Sequence, residues 1–312
     1  MIDSIKLYSK NVSQIDLEYL HNKFGIINLT TGSYFRYSTV IKNMKLTYDS
    51  YGLHLEGSAA TYLHGNNIKT LKYDEVQNFI DKLSEDVGFD ISSFTITRID
   101  ITDNLELKYP PGTYKRFFGH CKYLSKTEFE NNGLMYSNGI RKIVFYDKIL
   151  EQTKKRVSVS DDMVGRNLLR IEYSIFEKCK EKLGSQIRVL SDLLIKENYL
   201  HLIDIWECMF NDVEILPPQP VDEMQYIKGM KPTDFLLITA AKELGGIEVV
   251  SALTKEWVQM GHTTAKIRKT TMNNIKDAQG LYNRLNIDHQ TSRRDELLNK
   301  FKEKVLENRS MQ

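Results

Sequence analysis

Cysteine is scarce in this chain of 312 residues, and the three present, Cys121, Cys179 and Cys208, are far apart with no C-x-x-C spacing. That pattern excludes a disulfide framework and a cysteine zinc site, and leaves buried free thiols as the expectation. Proline is scarce too, at six residues, and there is no low-complexity tract or internal repeat. Long disordered arms and repeat arrays are thereby set aside. No apolar run approaches the ~18 residues of a membrane span. The opening stretch MIDSIKLYSK lacks a signal-peptide pattern, so the expectation is a cytoplasmic protein with no membrane association. Excess charge of either sign is missing as well: a net charge of +2 says nothing about a partner, and local distribution has to carry that information.

What is present is ordinary globular material, 41% hydrophobic and 27% charged, in a length that suits two domains or one large domain with an appendage. Residues 2–8 alternate as a strand, and Val12 to Phe24 has helical spacing. Ser33 to Tyr51 reads as a hairpin or meander turning at Lys42-Asn43. Leu53 to Ser58 reads as a strand that runs on through Leu63 to a turn at His64-Gly65-Asn66-Asn67. Asp74 is placed to cap an amphipathic helix that carries Val76, Phe79, Ile80 and Leu83 on one face and ends near Gly88. Phe94 to Ile101 predicts a strand with Phe94, Ile96, Arg98 and Asp100 on one side, so both faces should be at least partly covered. A carboxylate there needs Arg98 or a metal ion as partner. Tyr114 to Tyr123 suggests a short helix. Asn138-Gly139 is a strong hairpin signal. Glu151 to Val164 reads as loop or partial helix, and Asn167 to Phe176 as another strand.

The hairpin at Asn138-Gly139 delivers the stretch on which the functional reading turns, Arg141-Lys-Ile-Val-Phe-Tyr-Asp-Lys-Ile-Leu-Glu151. A tyrosine at the edge of an apolar run, with a lysine two residues on, is a candidate nucleophile. Its free pKa of about 10 means that it needs help at neutral pH, and a nearby ammonium or metal ion favours the phenolate. The plainer alternative is a strand-end tyrosine that packs its ring and wets its hydroxyl. Two further fragments carry convergent polar residues. A single ion could take the His64 nitrogen, the Asn66 amide oxygen and the Asp100 carboxylate, with Glu56 as a further ligand, and this mixed N/O set suits Mg²⁺ or Mn²⁺ better than zinc.

From Lys178 the pattern turns helical, with Leu216-Pro-Pro-Gln-Pro220 as the clearest linker. The helices expected over Thr233–Leu244, Ile247–Met260 and Thr263–Leu285 are punctuated by Gly245-Gly246 and Gly261. They suit either a small bundle or a helix-turn-helix module. The segment from Lys266 onward is rich in Lys and Arg, which fits either phosphate contact or a solvated helix of mixed charge.

Taken in order, several stretches resemble the gene II/X family of phage and plasmid replication initiators, typified by the gene II protein of filamentous phages. They are Glu56-Gly-Ser-Ala-Ala-Thr-Tyr-Leu-His-Gly-Asn-Asn67, Thr97-Arg-Ile-Asp100, the stretch around Tyr146, Leu169-Arg-Ile-Glu172 and Leu202-Ile-Asp-Ile-Trp206. The resemblance implies an α+β nicking-joining endonuclease with a central antiparallel sheet flanked by helices, followed by an all-helical C-terminal region. The corresponding division is a catalytic domain over 1–215, a linker over 216–231 and a helical DNA-binding or accessory region over 232–312.

The implied function is rolling-circle replication initiation in a bacterial host cell. Tyr146 is the implied nucleophile, forming a 5′-phosphotyrosine link and rejoining the ends. The expected role of Lys148 is to lower the pKa of Tyr146 or neutralise the phosphate. Mg²⁺ or Mn²⁺ is the implied cofactor, although His64-Gly65-Asn66 departs from the superfamily's His-hydrophobic-His pattern. Tyr136 and Tyr173 are the rival tyrosines. The expected partners are single- and double-stranded origin DNA, a host helicase and a DNA polymerase. The cations expected against DNA are Arg98, Arg141, Lys142 and Arg170 on the strands and Lys266, Arg268 and Lys269 on the helices. A relaxase for plasmid transfer and a non-catalytic DNA-binding regulator are the alternatives.

Overall fold

The computed structural model describes residues 1–10, 17–25, 27–28, 36–129, 133–157, 163–217, 231–285 and 293–310. Among them the chain divides into two compact units, Met1–Leu216 with Leu297–Gln312, and Pro217–Glu296.

The first unit is an α+β body built on one antiparallel sheet. Its strands are β1 (Ile2–Ser9), β2 (Ile27–Asn28), β3 (Arg36–Ile41), β4 (Met44–Asp49), β5 (Gly52–Ser58), β6 (Thr95–Leu107), β8 (Ser125–Phe129), β9 (Gly133–Ser137), β10 (Arg141–Asp147) and β11 (Asn167–Ile175). Their order across the sheet is β2-β3-β4-β5-β1-β6-β11-β10-β9-β8. β7 (Phe118–Cys121) pairs separately with β12 (Val213–Ile215). The helices of this unit are α1 (Leu17–Phe24), α2 (Ala59–His64), α3 (Val76–Val87), α4 (Lys148–Lys154), α5 (Cys179–Lys182), α6 (Lys196–Asn211) and, after the second unit, α10 (Arg293–Ser310).

Alternation along the strands divides the sheet into an apolar and a polar face. Ile5, Leu7, Ile99, Ile101, Ile143, Phe145, Ile171 and Tyr173 enter the core. There they meet Phe79 and Leu83 of α3, Trp206 and Phe210 of α6, and Leu297, Phe301 and Val305 of α10. The Trp206 indole donates to the Ile171 carbonyl at 3.1 Å, and the Phe210 and Phe301 rings stack 3.7 Å apart. Burial of this apolar surface, at roughly 25 cal/mol per Å², is the main force that seats the helices on the sheet. The last helix thus packs into the first unit. Arg309 reaches Asp204 and Glu207 of α6, while Lys300 and Lys304 pair with Glu303 and Glu307.

The second unit holds α7 (Pro232–Glu243), α8 (Ile247–Gln259) and α9 (Ala265–Leu285), around a small core of Ala241, Val250, Met272 and Ile275. Gly245, Gly246 and Gly261 all take positive φ between these helices, as punctuating glycines should. The proline-rich linker lies largely outside the described residues. Among the described residues no helix is long and apolar enough to cross a membrane.

Three local expectations are corrected. The stretch after Ser58 is helix α2 and not a continuing strand, because the Ser58 hydroxyl accepts from Thr61 N at 3.0 Å and starts a helical turn that Gly65 ends at φ 75°. Tyr114 to Tyr123 gives a 3₁₀ turn at Lys115–Phe117 and then strand β7. Phe94 and Ile96 do not share a face with Arg98 and Asp100. Arg98 sits opposite Lys6 while Ile96 sits opposite Leu7, so Thr97 is an extra residue that flips the alternation. Ile96 therefore joins the core, and Arg98 and Asp100 are left on the polar face.

Candidate active site

Strand β10 passes straight into helix α4. Asp147 caps that helix, its carboxylate accepting from Leu150 N at 2.9 Å. Tyr146, one residue earlier, lies opposite Arg170 and so on the polar face. Its hydroxyl donates to Glu172 Oε2 at 3.3 Å. Burial holds the Tyr146 phenol well above its ordinary pKa; Arg170 works against this and the Glu172 carboxylate reinforces it. Glu172 is itself raised, by burial first and then by the Asp100 carboxylate, with Arg170 and Lys142 opposing. Lys142 Nζ lies 3.7 Å from Glu172 Oε1. At rest the site is therefore a neutral phenol bonded to a carboxylate of raised basicity.

The rival tyrosines lie on the other side of the sheet. Tyr136 is fully buried and donates to the Gly119 carbonyl at 2.7 Å. Tyr173 is 2% exposed and hydrogen-bonds Arg141. Arg141 consequently points to the helical side, where its Nη1 lies 3.1 Å from Met209 Sδ, while Lys142 is the member of that pair that reaches the polar face.

Lys148, the cation expected to assist the phenol, is enclosed. Its side chain is fully buried, and Nζ donates to Asn67 Oδ1 at 2.8 Å and to Glu151 Oε2 at 2.9 Å. It passes 5.8 Å from the centre of the Tyr146 ring. Burial, aided by Arg170, lowers its pKa to about 8 against the pull of Glu151. Arg170, expected at the DNA, is likewise enclosed. It donates to the Asn67 carbonyl at 2.5 Å and to Asp3 Oδ2 at 2.9 Å. Asp3 also accepts from Ser58 Oγ and Asn67 Nδ2, and Gln152 donates to Asn67 and Glu151. These groups form one largely buried network that clamps the turn after α2 to the start of α4. A buried arginine or lysine of this kind is tolerable only because each charge has partners.

The four residues expected to share an ion are divided. Asp100 is 2% exposed and both its oxygens are held by Arg98, at 3.1 and 2.8 Å; Arg98 also lies 3.5 Å from Glu56, which pairs with Lys6 at 3.3 Å. His64 Nε2 lies 3.3 Å from Glu75, and the Asn66 amide oxygen accepts from Ile68 N at 3.1 Å. His64 and Asn66 together line a cavity of 240 Å³ that contains neither Asp100 nor Glu56. Among the described residues no group of three or more His, Cys, Asp or Glu is arranged to hold a metal ion. As placed, the quartet does not fit one Mg²⁺ or Mn²⁺ ion.

The family described as the N-terminal region of the phage replication-associated protein of gene II matches residues 7–201. The chain belongs to that family. No curated protein matches the chain. The family match takes in Tyr146, Glu172, Lys148 and both halves of the divided quartet, and it ends before the second unit begins. Sequence reasoning missed Glu172, Asn67 and Asp3 as site residues. For Glu172 the signal was available in the alternation Arg170-Glu172-Ser174, which sets three polar side chains on one face of β11.

Proposed function

We propose that this chain of the gene II replication protein family is a rolling-circle replication initiator that nicks and rejoins origin DNA through Tyr146. The observation that carries the reading is the contact between the Tyr146 hydroxyl and Glu172, at a strand end within the family region. In the nicking step Tyr146 Oη attacks the scissile phosphorus. The Oη–P bond forms, the P–O3′ bond breaks, and the phenolic proton passes to Glu172. The departing 3′ oxygen takes a proton from water and becomes the priming 3′ hydroxyl. Rejoining reverses these roles: a 3′ hydroxyl attacks the phosphotyrosine and Glu172 returns the proton to Oη. The phosphodiester is exchanged and not hydrolysed, so no ATP is needed.

A carboxylate of raised pKa is a stronger base than a solvated one, and so is better matched to a phenol. Lys142, 3.7 Å from Glu172, and Arg98 are the cations of the polar face suited to the phosphate and its developing charge. Lys148, Arg170, Asp3 and Asn67 are positioning residues that fix the frame around Tyr146.

The test incubates a 3′-labelled single strand carrying the replicon's origin with the full chain and Mg²⁺ or Mn²⁺. A protein–DNA adduct should be retained on a denaturing gel. Its absence with wild-type protein that still binds DNA would overturn the enzyme reading in favour of a DNA-binding regulator.

A further inference from the structure

The second unit lies beyond the family match. Helices α8 and α9 are joined by Met260-Gly261-His262-Thr263-Thr264. Gly261 takes φ 77°, and the His262 amide returns to the Trp257 carbonyl at 2.8 Å. Thr264 starts α9, its hydroxyl accepting from Ile267 N at 3.2 Å. Two helices joined by a short glycine-containing turn, with a third helix packed against them, have the connectivity of a helix-turn-helix unit.

The side chains of α9 divide cleanly around its axis. Met272, Ile275 and Ala278 are buried, and Arg268 is turned in with them, donating to Ser251 Oγ of α8 at 3.0 Å. Lys266, Ile267, Lys269, Thr270, Asn273 and Asn274 are exposed. At 100° per residue these six fall within one half-circle of the helix. Lys266 and Lys269 stand on this face with Lys276 at its edge, against one exposed acid, Asp277, so its balance of charge favours a polyanion. Its neutral members match base-edge chemistry. An asparagine amide pairs with adenine N6 and N7, a lysine reaches guanine, and threonine or isoleucine methyls contact the thymine methyl.

We infer that α9 is a recognition helix that enters the major groove of double-stranded DNA, with Asn273, Asn274, Thr270 and Ile267 reading bases while Lys266 and Lys269 hold phosphates. The activity is sequence-specific duplex binding, separate from the strand exchange assigned to Tyr146.

The experiment uses the full chain and a library of DNA duplexes with a randomised core. Wild-type protein should enrich a defined sequence. Asn273→Ala and Thr270→Ala should each lose preference at one or two adjacent positions and bind the wild-type sequence about 5- to 150-fold more weakly. Lys266→Ala and Lys269→Ala should weaken binding to all duplexes, each lowering the log–log salt slope by about 0.9. All four side chains are exposed, so helix content by circular dichroism should not change. Covalent attachment to a single-stranded oligonucleotide should survive Asn273→Ala and Thr270→Ala, so that failure here is separable from failure of the Tyr146 reading. The inference is overturned if wild-type protein enriches no sequence. It is equally overturned if Asn273→Ala and Thr270→Ala recover the wild-type sequence at undiminished affinity, with the lysine variants alone having an effect. That result would leave a sequence-blind phosphate grip.

Discussion

Tyr146 and Tyr173 lie on neighbouring strands of one sheet, β10 and β11, and face opposite ways. Burial is the largest influence on both and holds both phenols neutral. Tyr146 is half-buried and Tyr173 buried, yet both stay neutral, so protonation state does not mark either as the nucleophile. The difference lies in what each hydroxyl meets. Tyr173 meets Arg141, a permanent cation with no capacity to take a proton. Tyr146 meets Glu172, a carboxylate that can take one. A tyrosine in a protein interior becomes a candidate nucleophile through its acceptor more than through its own pKa.

The most severe test of that contrast is Tyr146→Phe beside Tyr173→Phe. The first should cut adduct formation by about 10⁴-fold or more, as loss of a nucleophile does, while DNA binding persists. The second should leave the adduct intact and cost about 1 kcal/mol in denaturant unfolding, the worth of one hydrogen bond. An adduct that survives in Tyr146→Phe and disappears in Tyr173→Phe would reverse the assignment.

Glu172→Gln sharpens the same comparison by keeping a hydrogen-bond acceptor and removing the proton acceptor. Single-turnover nicking should fall about 10²- to 10⁴-fold. The pH profile should change with it. Glu172 must be ionised to act, and its pKa is raised, so wild-type activity should climb with pH above the usual carboxylate range. The glutamine variant should lack that acidic limb; a variant that keeps both limb and rate would exclude Glu172 as the base.

Arg170→Met tests the frame beneath the phenol. It leaves Asp3 buried without its cation, and unfolding should register a loss of about 3–5 kcal/mol. A much smaller loss would mean that the network is not held together by this pair.

The mildest expected effect concerns Glu151. Burial would raise its pKa, but Lys155, Lys148 and Gln152 together outweigh it and bring the value to about 2. A depressed carboxylate stabilises the fold above its unfolded pKa near 4.5, and that contribution is lost as pH falls from there toward about 2. Melting temperature in wild type should decline over that window. Glu151→Gln should flatten the decline, with a difference of about 1–2 kcal/mol once the exposed Lys155 is discounted.

Much of the scaffold was legible because local chemistry and tertiary packing agree in it. The Asn138 side chain accepts from Ile140 N and Arg141 N at the hairpin turn, as the Asn-Gly pair suggested. The helix ending at Gly88 and the strand over residues 167–175 were readable from period alone. The bulge at Thr97 was not, because nothing in the residue types F-T-I-T-R-I-D-I reveals which register β1 will impose. Nor was the separation of His64 from Asp100. Proximity in a motif list carries no information about which partner each side chain takes, and Glu75 and Arg98 took them. The enclosed setting of Lys148 was hidden for a related reason. Its place in the motif suggested a role at the phosphate, while its burial beside Asn67 depends on a loop about 80 residues away in sequence.

The cap at Asp147 has a mechanical consequence. Because the strand bearing the nucleophile becomes a helix with no intervening loop, the phenol has no lever arm. On the proposed chemistry, a DNA end that leaves Tyr146 cannot be followed by it. In that proposal the strands come and go past a fixed post, and the motion that brings the ends together falls to the nucleic acid.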